Sequence, residues 1–214
     1  MALRETLLCL CSFAVVTLSA AQDGLSSNCN SQDEPFDRLS ADLKMIVESG
    51  KMPPDWSLER TATLLLHMRN LTGILRYRLR ECVGAEPKQC PEAEVPENGG
   101  LACVTFANRR YCKPMCNHGY DFGFLRRSRP FDECSHQTSY KWNSQYVGGN
   151  KLAVCNEAPV QVGGASTAYF AKDQDCLAVR SSSEFTNTIL EDFKNEIKKD
   201  NIEGEPQGAC LICG

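Results

Sequence analysis

The chain has 214 residues, 13 of them cysteine, and a formal net charge of −4 at pH 7. An acidic chain has no overall electrostatic attraction for nucleic acid, so we expect no nucleic-acid partner. Its length is enough for one to three small units rather than one large domain.

The first 21 residues have the pattern of a secretory signal peptide. A short start with one Arg precedes an apolar run from Leu7 to Leu18, and Ser19-Ala20-Ala21 supplies small residues for cleavage. The apolar run is too short to cross a bilayer, which takes about 20 residues; a buried N-terminal helix is the alternative. We therefore predict cleavage after Ala21 and export of the chain, and we expect no transmembrane segment.

Export determines how the cysteines are interpreted. Cys9 and Cys11 belong to residues 1–21, which leaves eleven cysteines in the mature chain. In an oxidising compartment this number favours a disulfide framework over metal sites, and we expect neither a metal nor a cofactor. Because eleven is odd, one thiol stays free, is capped or bonds another molecule, for example in a disulfide-linked homodimer.

The N-terminal part of the mature chain is predicted to be helical. Residues 22–34 are polar and are predicted to be flexible, and residues 35–82 are predicted to form a helical hairpin. Its first helix has apolar residues at spacings of three and four and ends at Gly50; these residues are Phe36, Leu39, Leu43, Ile46 and Val47. A Cys29–Cys82 bond is one way to tie the hairpin.

The second helix is predicted to begin after Ser57, which is a good N-cap. Its apolar face consists of Leu58, Leu65, Met68, Leu71, Leu75 and Leu79. Ordinary packing explains this face, and a partner-binding role is the alternative. Asn70 opens an Asn-Leu-Thr sequon, so it is a candidate glycosylation site in an exported chain.

The rest of the chain is predicted as two further units. Residues 90–155 are rich in Gly, Pro, Asn and aromatic residues without helical periodicity, which indicates short strands and turns. Residues 165–214 are predicted as strand, helix and strand, at residues 176–180, 183–199 and 209–213. A capping box of Ser181 and Glu184 is expected to start that helix.

The motifs between residues 90 and 155 resemble a sushi (complement control protein) module. They are Cys90-Pro91, Pro96-Glu97-Asn98-Gly99, Cys103, Cys112, Cys116 with Gly119-Tyr120, Cys134, Trp142 and Cys155. The extra cysteine pair is similar to the six-cysteine variant of selectins and matrix proteins. The resemblance implies a small all-β unit and the pairs Cys90–Cys134, Cys116–Cys155 and Cys103–Cys112. The predicted fold class is thus multi-unit α+β with a central all-β module.

Six basic residues within this module form a candidate glycan-binding site. They are Arg109, Arg110, Lys113, Arg126, Arg127 and Arg129. If the six side chains lie on one face, they would bind a sulfated polysaccharide through their positive charge and through the forked hydrogen-bonding geometry of arginine. A solvated surface with scattered charge explains the same residues. The resemblance to sushi modules implies that this module binds either glycans or protein partners.

Cys210 and Cys213 form a C-x-x-C motif one residue from the end of the sequence. A redox dithiol needs this motif at the start of a helix, and no helix follows it here. We therefore favour a disulfide from Cys176 to one of the two cysteines, with the other left for a second chain. No motif for a catalytic site is present. We therefore predict a secreted extracellular binding protein rather than an enzyme. A signalling ligand that forms disulfide-linked dimers is the alternative, and a thiol oxidoreductase is a remote one.

Overall fold

The computed structural model describes residues 34–50, 56–79, 82, 84–146 and 149–214. The predicted signal peptide, almost all of the predicted flexible segment 22–34, and Cys29 lie outside these residues. The chain divides into two compact units, Met1–Trp56 and Ser57–Gly214. In the first unit, helix α1 spans Glu34–Ser49, and Gly50 follows it with a φ of 57°. The left-handed residue ends the helix where the sequence predicts.

The second unit begins with helix α2, Leu58–Leu79. The Arg60 N–H donates to Ser57 Oγ at 3.2 Å, which confirms Ser57 as the N-cap. No residue of α2 is buried. Both predicted helices are therefore present, and their pairing as a hairpin stays a prediction.

The main sheet of the second unit is antiparallel with the strand order β4–β2–β1–β6. Strand β1 spans Gly99–Phe106, β2 spans Arg109–Cys116, β4 spans Asp132–Cys134 and β6 spans Pro206–Cys213. Ala107 and Asn108 join β1 to β2 with φ values of 46° and 57°, as a two-residue hairpin turn requires. A smaller sheet pairs β3, Tyr120–Phe122, with β5, Cys155–Glu157.

Strand β1 is buried on both faces. Ala102, Val104 and Phe106 pack into a core formed with the C-terminal helices, whereas Leu101 and Cys103 pack into a second cluster with Trp142 and Leu152. This alternation follows the two-residue period of a strand. The hairpin of β1 and β2, called the central hairpin below, therefore forms the middle layer of the unit.

The C-terminal segment departs from its prediction at one element. Residues 176–180, predicted as a strand, form helix α3, Cys176–Arg180, because Asp175 caps it by accepting the Ala178 N–H at 2.8 Å. Helix α4 spans Ser183–Lys199, as predicted, and its cap is Ser182 rather than Ser181. The predicted final strand is confirmed as β6.

Residues 90–155 and 165–214, predicted as separate units, share one sheet and one core. Strand β6 pairs with β1 from Gly100 opposite Cys213 to Phe106 opposite Pro206. From α4, Phe193 and Ile197 lie in the same buried cluster as Val104. The described part of the second unit is thus an α+β structure in which the C-terminal segment covers one face of the central hairpin.

Candidate recognition surface

Five disulfides link the ten cysteines of the described residues. Three of them are the pairs that the sushi resemblance implied: Cys90–Cys134, Cys103–Cys112 and Cys116–Cys155. The other two are Cys82–Cys210 and Cys176–Cys213. The bond from Cys176 agrees with one of the predicted alternatives. Together the bonds fix the hairpin, the loops around it and the C-terminal strand to one another.

The suggested Cys29–Cys82 bond is wrong, because Cys82 bonds Cys210 with a Cα–Cα distance of 5.7 Å. The idea that one cysteine of the C-x-x-C motif is left for a second chain is wrong for the same reason. The two partners are 128 residues apart in the sequence, and no local pattern could have identified the pair.

The C-x-x-C motif lies in strand β6, where residues three apart point to opposite faces of the sheet. Cys210 packs in the cluster with Trp142, and Cys213 packs in the core with Phe193. Each sulfur is bonded to a different segment of the chain. The geometry therefore lacks the adjacent dithiol that thiol–disulfide exchange requires, and it removes the reason for the oxidoreductase alternative.

The six basic residues of the candidate glycan site differ in how exposed they are. Arg110, Lys113 and Arg126 are buried, Arg127 is exposed, and Arg109 and Arg129 are half-buried. A sulfated glycan needs cations in contact with solvent, so the buried three cannot serve it. Half of the six charges are thus used inside the fold, and glycan binding by the other three stays a prediction.

Lys113 illustrates that internal use. Its Nζ lies 2.7 Å from Glu196 Oε2 and donates to Thr167 Oγ1 at 2.9 Å. Burial lowers the pKa of Lys113 against the opposing effect of Glu196. The ion pair joins β2 to α4 beneath a cleft of about 230 Å3. This cleft is smaller than the roughly 300–1,000 Å3 of most small-molecule sites.

Arg126 anchors the loop of residues 123–131, which connects β3 to β4. Its guanidinium lies 2.7 Å from Asp132 Oδ2 and donates to the Leu152 carbonyl at 2.8 Å. The backbone N–H of Arg126 donates to the Gly163 carbonyl at 2.6 Å. Burial raises the pKa of Asp132 against the opposing effect of Arg126. The pair is therefore costly to desolvate, and its clear structural effect is to hold the loop in place.

A second buried carboxylate anchors the neighbouring loop of residues 160–164. Asp121 accepts hydrogen bonds from the Tyr169 hydroxyl and from the N–H groups of Phe122, Val162 and Gly163. Burial acts to raise the pKa of Asp121, but these hydrogen bonds hold it below its ordinary value. Burial and the bond to Asp121 raise the pKa of Tyr169 to about 12. A Cβ on Gly163 would lie 2.9 Å from Asp121 Oδ1, so a larger residue there would displace the loop.

Both anchored loops expose apolar side chains, and hydrogen bonds from Arg126 and Arg127 join the two loops. Phe124 is 56% exposed, Leu125 is 72% exposed and Val162 is 52% exposed. The Phe124 ring packs against the Tyr146 ring at 5.3 Å, and Arg127 Nε donates to the Val162 carbonyl at 3.2 Å. We call these five residues, Phe124, Leu125, Arg127, Tyr146 and Val162, the loop surface.

The loop surface has the composition of a protein-binding site. Aromatic and aliphatic side chains exposed together beside an arginine are typical of the centre of an interface. The sequence places Phe124 and Leu125 next to Arg126 and Arg127, yet charge alone draws attention to the arginines. The apolar pair is recognisable only once Arg126 is seen to point inward.

Comparison of the chain with protein-family models, with curated proteins and with solved structures finds no match. The sushi resemblance therefore rests on its sequence motifs. Among the described residues, no group of His, Cys, Asp and Glu could hold a metal ion. No helix in the described ranges is long and apolar enough to cross a membrane. Asn70 is exposed on α2.

Proposed function

We propose that the chain is an exported, extracellular recognition protein that binds a protein partner through the loop surface. The observation that carries the proposal is the exposure of Phe124 and Leu125 on a loop whose next residue is a buried anchor. Apolar side chains on an ordered loop bind a partner without a large entropic cost of ordering. Five disulfides fit the oxidising environment outside the cell.

A protein is favoured over a sulfated glycan as the partner because of the basic residues. Only Arg127 of the predicted six is classed as exposed, and its guanidinium already donates to the Val162 carbonyl. A glycan would need several exposed cations, whereas a protein interface needs an apolar centre with few charges. The loop surface matches the second description.

The proposal is tested with the purified, exported chain, labelled with biotin and titrated onto intact cells. We expect saturable binding that protease treatment of the cells abolishes and heparinase treatment leaves unchanged. The double substitution Phe124→Ser and Leu125→Ser should weaken binding by about tenfold or more, which is typical for two central interface residues. Leu177→Ser is the matched control, because Leu177 is an exposed leucine on α3 and does not belong to the loop surface.

Two results would contradict the proposal. One is equal binding by the double variant and by the control. The other is binding that survives protease, disappears after heparinase and decreases on Arg127→Ala, which would assign a glycan instead. Circular dichroism and intact disulfides in each variant establish that the fold is unchanged.

A further inference from the structure

A cleft of about 390 Å3 lies beside strand β2 in the second unit, and Arg110 of that strand lines it. Most of its other lining residues belong to the segment 84–95. Two disulfides fix this segment to the sheet, one just before it and one within it: Cys82–Cys210 and Cys90–Cys134. Trp142 Nε1 also donates to the Pro91 carbonyl at 2.9 Å. The cleft is therefore preformed, and its volume lies within the roughly 300–1,000 Å3 of most small-molecule sites.

Arg110 is buried, with 8% of its surface exposed, yet it forms no ion pair with any Asp or Glu of the described residues. Within that part of the chain its guanidinium makes one hydrogen bond, to Cys210 Sγ at 3.9 Å, and sulfur is a weak acceptor. Burial lowers the pKa of Arg110, and the charge of Glu92 only opposes that effect. The guanidinium thus lines the cleft without a compensating negative charge in contact with it.

Two other buried cations show what Arg110 lacks. Lys113 is paired with Glu196 at 2.7 Å. Arg126 is paired with Asp132 at 2.7 Å. A buried charge without a partner is costly, which is why buried charges in proteins are generally paired. An anion from outside the chain would give Arg110 the partner that the other two cations find within the fold.

The rest of the lining favours an anion with one charge on a small apolar group. Apolar surface is supplied by four residues: Pro87, Pro91, Val95 and Ile212. Three exposed charged residues complete the lining: Lys88, Glu92 and Glu94. The two glutamates would repel a second negative charge on the ligand. A carboxylate carries a single charge, and its two oxygens match the forked N–H groups of arginine.

We propose that this cleft binds a carboxylate carried on a short apolar group, with Arg110 as its ion-pair partner. Two kinds of molecule have this chemistry: a short-chain organic acid, and the C-terminus of a peptide that ends in an apolar residue. The cleft is lined by none of the five residues of the loop surface. The proposal therefore holds or fails independently of the proposed function.

The first test titrates the exported chain with pentanoate and follows its amide NMR spectrum. We expect saturable shifts, centred on residues 84–95, with a Kd of about 1 mM or below, which is the strength of two hydrogen bonds between charged groups. Pentanamide has the same apolar group without the charge and should bind about tenfold or more weakly. Absence of saturable shifts with pentanoate, or equal binding of pentanamide, overturns the proposal without the use of any variant.

The second test alters the arginine. Arg110→Met should weaken pentanoate binding by about tenfold or more, and Arg110→Lys should have an intermediate affinity because it keeps the charge without the fork. Arg180→Met is the matched control, since Arg180 is exposed on α3 and does not line the cleft. A dispersed amide spectrum and intact disulfides establish the fold of each variant. Equal affinity of Arg110→Met and the control contradicts the proposed ion pair.

The third test separates the two sources of the carboxylate. A short peptide that ends in leucine is compared with its amidated form and with pentanoate. Tighter binding of the free-acid peptide than of pentanoate assigns the C-terminus of a polypeptide, and the reverse order assigns a free organic acid. Inorganic phosphate should bind more weakly than either carboxylate. Equal or tighter binding of phosphate would show a general anion site and overturns the assignment of a carboxylate.

Discussion

Removing either partner of the Arg126–Asp132 pair is expected to destabilise the protein strongly. Both side chains are almost completely buried, with 3% and 0% of their surfaces exposed, and their closest atoms are 2.7 Å apart. Asp132→Leu leaves a buried guanidinium whose other acceptors are the Leu152 carbonyl at 2.8 Å and Gln145 Oε1 at 3.5 Å, both uncharged. Breaking a buried pair from one side costs about 3–5 kcal/mol. That is a large part of the roughly 5–15 kcal/mol by which a protein of ordinary stability stays folded.

The double substitution Arg126→Met and Asp132→Leu should restore most of that loss. It removes both charges together, and burial already raises the pKa of Asp132, which shows that desolvation is costly here. Apolar replacement of a buried ion pair is commonly neutral or stabilising by about 1–4 kcal/mol. The two singles and the double therefore form a cycle with a coupling energy of several kcal/mol, measured by urea unfolding with the disulfides intact.

The single variant Arg126→Met adds a dependence on pH. Without the guanidinium, burial raises the pKa of Asp132 further, so the folded state retains a proton that the unfolded state releases. The direction follows from proton linkage. The contribution of Asp132 to stability is fully present below its pKa in the unfolded state, and it is lost as the pH rises through its higher pKa in the folded state. Arg126→Met should therefore be less destabilised at pH 4 than at pH 7. A cost below about 1 kcal/mol for either single would refute the role given to the pair.

Two further outcomes are expected. Because hydrogen bonds hold the pKa of Asp121 below its ordinary 3.8, its contribution is present above that pH and is lost as the pH falls below it. In Asp121→Asn the free energy of unfolding should consequently fall less between pH 5 and pH 2 than it does in the native chain. An equal fall in the variant and the native chain would contradict this. Peptide mapping without reduction should find Cys82 joined to Cys210; a Cys82 peptide joined to Cys29 would refute the pairing described here.

The local elements were predictable from the sequence because their signals are local. Helical spacing and Ser57 indicate α1 and α2, and the motifs between Cys90 and Cys155 indicate a disulfide-rich β unit. Residues 176–180 were mistaken for a strand because so short an element has too few residues to show a period. Its helical state depends on one cap, Asp175.

Three of the six residues of the predicted glycan site, Arg110, Lys113 and Arg126, are buried, and their burial could not be predicted from the sequence. Lysine and arginine are seldom buried, so an exposed position is the reasonable expectation for each of them. Lys113 is buried because Glu196 reaches it from 83 residues away along the chain. Arg126, in contrast, has its partner Asp132 only six residues away. That spacing is a weak sequence signal that an ion pair holds the loop between β3 and β4 in place.

The place of β6 implies that residues 90–155 do not fold alone, even with their three disulfides. In the whole protein, β1 lies between β2 and β6, with Cys103 opposite both Cys112 and Cys210. Removal of β6 leaves the hydrogen-bonding edge of β1 open, and such an edge is prone to aggregation.

Removal of the C-terminal segment also uncovers the apolar face of the hairpin. Val104, Phe106 and Tyr111 pack on Phe193 and Ile197 of α4, and each of the first three is at most 1% exposed. Burying an aliphatic or aromatic side chain stabilises by about 1.5–3 kcal/mol, so exposing these three costs about 4.5–9 kcal/mol, which is comparable to what three disulfides contribute at about 2–4 kcal/mol each. A fragment of residues 84–157 should give a poorly dispersed amide spectrum and mixed disulfides. A dispersed spectrum with the three native bonds would show that the module is autonomous, and that the C-terminal segment is an addition to it rather than part of its core.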